Sequence, residues 1–197
     1  MEFIIKDKKL VDIKDPEPDV HIPEGVEKLE RDVFNDLKET RNVWFPKSLV
    51  DCRGPRVLLF RDQANIFVHP GNPVFSSDDG VLYNKDFSVL LCCPMKKRGS
   101  YRTLPMTKTI AEDAFCCSIL DELVLNRGLE SIERYAFCDS SIHKWVIIPE
   151  TVKHIDKEAF AGEWNNQCIV VVEGSYAHYY VMYEDNSIWK YRCIQGY

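Results

Sequence analysis

The sequence repeats a short pattern in which an isoleucine is followed, four and five residues later, by alanine and phenylalanine. The pattern occurs at Ile110–Phe115, Ile132–Phe137 and Ile155–Phe160, so successive copies lie 22 and 23 residues apart. A single copy cannot bury its own apolar face, whereas stacked copies bury a continuous core between neighbours. A repeat of this length therefore predicts a solenoid.

The repeating unit extends upstream of the phenylalanine. In the copy that ends at Phe160, Ile148 stands seven residues before Ile155, and Val152 stands three residues before it. The same offsets recur in the N-terminal half, at Ile22, Val26, Leu29 and Phe34, and then at Phe45, Leu49 and Cys52. The repeat therefore predicts one solenoid domain over residues 1–197. Equivalent phenylalanines are predicted to stack along one interior spine: Phe34, Phe115, Phe137 and Phe160.

Short β-branched runs precede the turns of the unit. Val146–Ile148 is followed at once by Pro149, and Cys168–Val172 is followed closely by Gly174. Proline ends a strand because it cannot donate to a β-ladder, and glycine likewise marks a turn. The predicted fold class is α/β and β-rich, with a parallel concave sheet and short helical or irregular turns on the convex side.

The consensus Ile-Pro-x-x-Val-x-x-Ile-x-x-x-Ala-Phe, carried by Ile148 to Phe160 and its counterparts, resembles the BspA-like leucine-rich repeat family. Gly71 to Pro94, with its turn residues Asp79-Gly80, is similar to the β-hairpin that this family inserts between repeats. Gly174 to Ala177 resembles the family's closing segment. The resemblance implies a bacterial leucine-rich-repeat solenoid with an inserted β-hairpin. It also implies protein binding, including adhesion to host or matrix proteins in exported members.

The pattern divides the domain into five segments. Residues 1–18 are predicted to form an N-terminal hairpin cap, 19–70 the first repeats, 71–98 the hairpin insert, 99–173 the later repeats and 174–197 a C-terminal cap. In the last segment, Ser175 is placed to cap a short helix, because Ala177, Tyr180 and Val181 follow at helical spacing. The repeat register is least regular between Cys52 and Thr107.

Catalytic and metal-binding motifs are missing from the sequence. It has no His-Glu-x-x-His, no Gly-x-Ser-x-Gly and no Cys-x-x-Cys, and none of its five histidines pairs with another at metal-ligand spacing. Asp78-Asp79-Gly80 lies at a predicted hairpin end, where these residue types favour a turn over a calcium loop. We therefore predict no enzyme activity, no catalytic residue, no metal site and no cofactor.

Composition and charge narrow the classes of partner. Asp plus Glu number 31 against 25 for Lys plus Arg, a net charge of −6, whereas nucleic-acid binding requires a basic surface. The longest apolar runs fall far short of the ~18–20 residues of a membrane-spanning helix. The eight cysteines are predicted to be free thiols. With no signal peptide recognised at the N-terminus, we expect a cytoplasmic location, or the cell surface if a leader has been removed.

Alternation along the strands predicts the binding surface. If the buried residues of each strand point inward, one residue per repeat points outward on the concave face, and these are His21, Trp44, Phe67, Val124 and Ile147, with Trp145 at the parity of Ile147. We predict a non-enzymatic protein–protein interaction scaffold that binds a protein partner on these residues, with Trp44, Phe67 and Trp145 as anchors.

Several alternatives stay open. The outward residues are also explained by strand propensity alone, or by the hairpin or a second copy of the chain covering them. Two further alternatives concern the function: the chain is an enzyme with a dispersed site in the concavity, or it is a fragment of a cell-surface adhesin.

Overall fold

The computed structural model describes residues 1–31, 33–34, 37–52, 65–162, 168–183 and 190–195. Regular structure in these residues is almost entirely short β-strand, with one helix near the C-terminus. The elements in chain order are β1 (Glu2–Lys6), β2 (Lys9–Lys14), β3 (Asp19–His21), β4 (Lys28–Leu29), β5 (Asn42–Phe45), β6 (Asn65–Val68), β7 (Phe75–Asp78), β8 (Val81–Asn84), β9 (Val89–Cys92), β10 (Ser100–Arg102), β11 (Thr109–Ile110), β12 (Ile119–Leu120), β13 (Glu122–Val124), β14 (Ser131–Ile132), β15 (Ser141–Ile142), β16 (Val146–Ile148), β17 (His154–Ile155), β18 (Cys168–Val172), α1 (Tyr176–Tyr183) and β19 (Lys190–Ile194).

Parallel pairing between successive turns builds a solenoid of about seven turns. The first sheet consists of β3, β5 and β6, in which Val20, Val43 and Ile66 lie side by side and are buried. The second sheet consists of β10, β13, β16, β18 and β19, again all parallel. The predicted β-rich solenoid with a parallel sheet is confirmed, and the structure contains little helix.

The isoleucines of the repeat form another line of contacts between turns. Ile110 pairs with Ile132 in β14, and Ile132 pairs with Ile155 in β17, and all three side chains are buried. Further along each turn, Asp113 and Tyr135 adopt left-handed φ angles of 58° and 55° just before the alanine of the pattern. This tight turn explains the small residue at that position, because the alanine is fully enclosed by neighbouring turns.

The phenylalanine spine has three members. Phe137 stacks on Phe115 with ring centroids 5.2 Å apart and on Phe160 with centroids 4.7 Å apart. Phe34 is also fully buried, but it belongs to a separate core cluster together with Leu10, Val43 and other residues of the first turns. The expectation of one continuous spine is therefore wrong for Phe34, because it packs in a different core cluster from the other three phenylalanines.

Strand β8 lies between the two core clusters. It pairs antiparallel with β7 and with β9, and β9 pairs in parallel with β11 of the next turn. Val81 and Tyr83 pack into the C-terminal core, whereas Leu82 between them packs into the N-terminal core. The structure thus has an antiparallel hairpin at this place. Its status as an insert over residues 71–98 stays a prediction, as do the other segment boundaries.

Polar contacts fix this hairpin to the later repeats. The Tyr83 and Tyr101 hydroxyls are hydrogen-bonded at 2.7 Å. Lys97, which is only 7% exposed, donates from Nζ to Oδ2 of Asp79 at 2.9 Å and to the Asp79 carbonyl. Because both contacts join the hairpin to residues just before or within β10, they hold the two halves of the solenoid together.

The two ends of the solenoid carry the predicted kinds of element. At the N-terminus β1 and β2 form an antiparallel pair, and β2 then pairs in parallel with β4. At the C-terminus Oγ of Ser175 accepts a hydrogen bond from the His178 backbone N–H at 3.2 Å, which caps α1. Strand β19 pairs with β18, so the second sheet continues past the helix.

Two buried asparagines satisfy backbone groups where the turns bend. Asn126 Nδ2 donates to the carbonyls of Pro105 and Thr107, and Asn72 Nδ2 donates to those of Pro46 and Leu49. Each amide therefore binds the preceding turn. Buried carbonyls without a partner are costly, so these two side chains stabilise the stacking of irregular turns.

Candidate interaction surface

Three aromatic side chains line the outward face of the first sheet. His21, Trp44 and Phe67 are neighbours in the parallel register of β3, β5 and β6. The His21 and Trp44 rings are stacked with centroids 4.3 Å apart and planes 11° apart, and the Trp44 and Phe67 rings are stacked at 4.9 Å. We call these three residues the aromatic row. Its members are the predicted ones, and the structure brings them into direct contact.

An open groove of about 440 Å³ runs beside the aromatic row. Besides the three rings, it is lined by Ile22, Glu24, Phe45, Pro46, Val68, His69 and Pro70. These residues come from the strand ends and the turns that follow them, one set from each of three turns. The groove therefore crosses the strands of the first sheet.

The groove holds a few polar groups. Glu24 accepts a hydrogen bond from the Lys47 backbone N–H at 3.1 Å through Oε2. His69 Nδ1 accepts from the Gly71 N–H at 3.0 Å, so the proton of its neutral ring lies on Nε2. Within the described residues, the indole N–H of Trp44 has no acceptor. The groove thus offers two N–H donors and one carboxylate on an apolar background.

Sequence reasoning missed Glu24 and His69. Both follow the outward residues of their strands, in turns for which period-two alternation predicts no direction. The available signal was the repeat offset, because positions 23–24, 46–47 and 69–70 are equivalent and carry prolines, charged residues or histidine.

A second outward row lies on the second sheet. The register places Arg102, Val124, Ile147, Val170 and Arg192 side by side on five neighbouring strands. We call these residues the aliphatic row. Val124 and Val170 are each only 8% exposed. Trp145 precedes this row by two residues along the chain and is 40% exposed.

The six predicted site residues therefore fall on two sheets. His21, Trp44 and Phe67 belong to the first sheet, whereas Val124, Trp145 and Ile147 belong to the second or its edge. In the described ranges no ladder joins the sheets. Instead the hairpin lies against β6, where the Ile66 N–H donates to the Gly80 carbonyl at 2.9 Å. Sequence reasoning also missed the arginines that end the aliphatic row, since the unit at Tyr101 is one residue short.

Three of the thiols lie in the turns that directly follow two phenylalanines of the spine, Phe115 and Phe137. Cys116 and Cys117 have their Sγ atoms 3.7 Å apart, and Cys138 lies on the next turn. Burial raises the pKa of the Cys138 thiol to about 11 and raises that of Cys116 still further. All eight cysteines are free, and those with raised pKa values stay protonated near neutral pH. This is the chemistry of packed thiols rather than of activated nucleophiles.

Metal clusters and membrane-spanning helices are absent from the described part of the chain. No group of three or more His, Cys, Asp or Glu side chains there is placed to hold a metal ion. No helix among the same residues is both long and apolar enough to cross a bilayer.

The later repeats are similar to a known repeat family. Residues 103–184 match the family model described as the BspA type leucine rich repeat region. No curated protein matches the chain.

Solved structures share the fold at low identity. They include the pneumococcal vaccine antigen PcpA, with 23% identity, a TM-score of 0.56 and coverage of 78% of this chain and 50% of that one. A leucine-rich repeat protein from Eubacterium ventriosum has 16% identity, a TM-score of 0.61 and coverage of 79% and 42%. A leucine rich cell surface protein from Faecalibacterium prausnitzii has 15% identity, a TM-score of 0.51 and coverage of 86% and 63%.

Alignment with this chain thus takes in 42% to 63% of the length of these three structures, and the likeness shows the fold alone. The repeat consensus, the parallel solenoid and the family model all agree. The later repeats, residues 103–184, are thus similar to the BspA type leucine rich repeat region, as their consensus indicates.

Proposed function

We propose that the protein is a non-enzymatic scaffold that binds a protein partner through the outward faces of its parallel sheets. The observation that carries this proposal is the aromatic row. Three large rings lie half-buried or exposed on neighbouring strands, beside an open groove. Aromatic side chains on an outer face are typical of interaction surfaces, and Trp is enriched among residues that dominate binding energy.

The comparisons support the same class of function. The family consists of repeat scaffolds, and two of the solved structures are named as a vaccine antigen and a cell surface protein. Those names favour the alternative in which this chain is a fragment of a cell-surface adhesin. The cytoplasmic location and the surface location both stay predictions.

The alternative of an enzyme with a dispersed site has weaker support. Activation of a nucleophile requires a base within hydrogen-bond distance. Within the described residues, no Ser, Thr or Cys side chain is hydrogen-bonded to a histidine ring. We therefore propose binding without catalysis.

A capture experiment with single substitutions tests the proposal. Trp44→Ser alters the aromatic row, Trp145→Ser alters the second sheet, and Tyr183→Ser is a matched control because Tyr183 is 74% exposed on α1. Each variant is checked for folding by circular dichroism and used to capture partners from a native lysate. We expect loss of a specific partner with Trp44→Ser or Trp145→Ser and full capture with the control. Unchanged capture by a folded variant with both tryptophans replaced would contradict binding on these faces.

A further inference from the structure

We propose that the groove beside the aromatic row binds a proline-rich peptide segment that carries a basic residue at the end nearest Glu24. This inference rests on the proposed function and specifies its partner at one of the two faces. It is carried by the orientation of the rings, the spacing of the turns and the charge of the groove.

The stacking of the rings decides which ligand groups they can meet. Trp44 is stacked between His21 and Phe67, with centroid distances of 4.3 and 4.9 Å, so both of its faces are covered. A sugar or a cation that binds on a ring face finds no such face on Trp44. What faces a ligand is a line of ring edges, which are electropositive, together with the indole N–H, which has no acceptor among the described residues. The matching ligand groups are carbonyl oxygens.

The spacing of the turns selects a backbone conformation. Neighbouring parallel strands lie ~4.8 Å apart, so the aromatic row spans ~9.6 Å from its first strand to its third. A polyproline II helix repeats every three residues, or ~9.3 Å. It also has no internal hydrogen bonds, so all of its carbonyls are available as acceptors. The three-residue repeat of such a peptide therefore nearly equals the distance from the first strand of the aromatic row to the third.

The lining of the groove suits proline in particular. Pro46 and Pro70 line it together with the ring edges, so the pyrrolidine rings of a ligand meet an apolar lining. The Trp44 indole N–H and the Nε2–H of His69 are placed on the second and third turns as donors to peptide carbonyls. Aromatic-lined grooves are a common way to bind the preformed polyproline II helix.

The charge of the groove sets the direction of the peptide. Glu24 belongs to the turn that carries His21, so its carboxylate lies at the N-terminal end of the groove. Its Oε2 binds the Lys47 backbone N–H, and in the described part of the chain the carboxylate has no cationic partner. The groove residues at the opposite end include no carboxylate, and His69 provides an N–H donor there. A lysine or arginine of the ligand therefore pairs with Glu24.

Fluorescence anisotropy with three labelled peptides tests this inference. The first is an arginine followed by an oligoproline tract of ~9 residues, long enough to cross the groove. The second replaces the arginine with glutamate, and the third replaces the prolines with glycine and serine. We expect the first peptide to bind at least ~10-fold more tightly than either of the others. Equal affinity for the first and third peptides would overturn the proposal.

Conservative variants locate the contact. Trp44→Phe keeps the stacking and removes the N–H, and should weaken binding of the first peptide ~5-fold. Glu24→Gln keeps the oxygen that accepts from Lys47 and removes the charge, so it should abolish the preference for arginine over glutamate. Tyr183→Phe, on the exposed face of α1, is the matched aromatic control and should change nothing. A loss with Tyr183→Phe equal to that with Trp44→Phe would refute the assignment to this groove.

The peptide and capture experiments fail independently. If Trp44→Ser removes the captured partner while none of the three peptides binds, the scaffold function stands and the proline-rich specificity is wrong. If the peptides bind as expected while neither tryptophan substitution affects capture, the groove binds such peptides and the proposed scaffold function is wrong.

Discussion

Replacing Phe137 with alanine tests the stacked spine most directly. The ring is fully buried and lies between two others, at centroid distances of 5.2 and 4.7 Å. A buried Phe→Ala substitution costs ~3–5 kcal/mol in transfer and cavity terms. Each stacked aromatic pair contributes ~0.5–1.5 kcal/mol beyond its area, and Phe137 loses two such pairs. We therefore expect the free energy of unfolding to fall by ~4–5 kcal/mol, at the upper end of the range.

Phe115 offers a matched comparison within the same core. It is also fully buried, but among the described residues it stacks only on Phe137. Phe115→Ala therefore loses one aromatic pair instead of two, and should cost about 1 kcal/mol less than Phe137→Ala. Tyr183→Ala, at a position 74% exposed, is the surface control and should change stability by less than ~0.5 kcal/mol.

Urea unfolding followed by circular dichroism measures these differences, with a thermal scan beside it. For a chain of this length each kcal/mol lowers the midpoint temperature by ~2–4 °C, so Phe137→Ala should lower it by ~8–20 °C. If the alanine variant does not fold, Phe137→Leu keeps most of the volume and should cost less than ~2 kcal/mol. A loss below about 1 kcal/mol for Phe137→Ala, or equal losses at Phe115 and Phe137, would refute the stacking argument.

Two further predictions concern titratable groups of the core. Alkylation of the native protein without reductant should modify the exposed Cys193 first, and the buried Cys92 and Cys93 only after unfolding. A native disulfide found by mass spectrometry would contradict the prediction of free thiols. Burial raises the pKa of Tyr83 to about 12 and also raises the pKa of Tyr101. The neutral phenols therefore stabilise the fold fully below the unfolded pKa of ~10, and this stabilisation is lost as pH rises further. The urea midpoint should fall above that pH, and a midpoint that does not change would contradict the burial of the pair.

The regular repeats could be predicted from sequence because every turn meets the same neighbours. Ile110, Ile132 and Ile155 recur at one offset, and the structure pairs them in one ladder. The contact that selects each residue is made with the adjacent turn, so sequence period and spatial period coincide. The same reasoning placed Ile22 and Phe45 in the core, where both are buried.

The middle of the chain could not be predicted in the same way. Val81, Leu82 and Tyr83 are all buried because β8 faces a different core on each side. A strand that is buried on both faces shows a continuous apolar run, which gives no alternation from which to read direction. Burial of Lys97 was likewise unpredictable, since its partner Asp79 is brought to it by the hairpin.

The candidate site likewise has a part that could be predicted from the sequence and a part that could not. Parity along each strand was enough to predict the aromatic row, because the register in a parallel solenoid is fixed by the repeat. Strand parity did not predict Glu24 or His69, which lie in turns. It also predicted a single outward row across both halves of the chain. The hairpin between β6 and the later repeats separates that row into two.

The size of the aromatic row limits what it can bind by itself. It crosses three strands, or ~10 Å, whereas a stable protein–protein interface buries ~1,200–2,000 Å² in total. A partner that contacts only this groove is therefore a short segment. The rings of the aromatic row are already held in place by stacking, so less entropy is lost when such a segment binds. A larger partner must also contact the aliphatic row, whose ends are Arg102 and Arg192. Because the two rows lie on separate sheets, single substitutions at Trp44 and Trp145 distinguish these cases: a short segment depends on Trp44 alone, and a large partner depends on both.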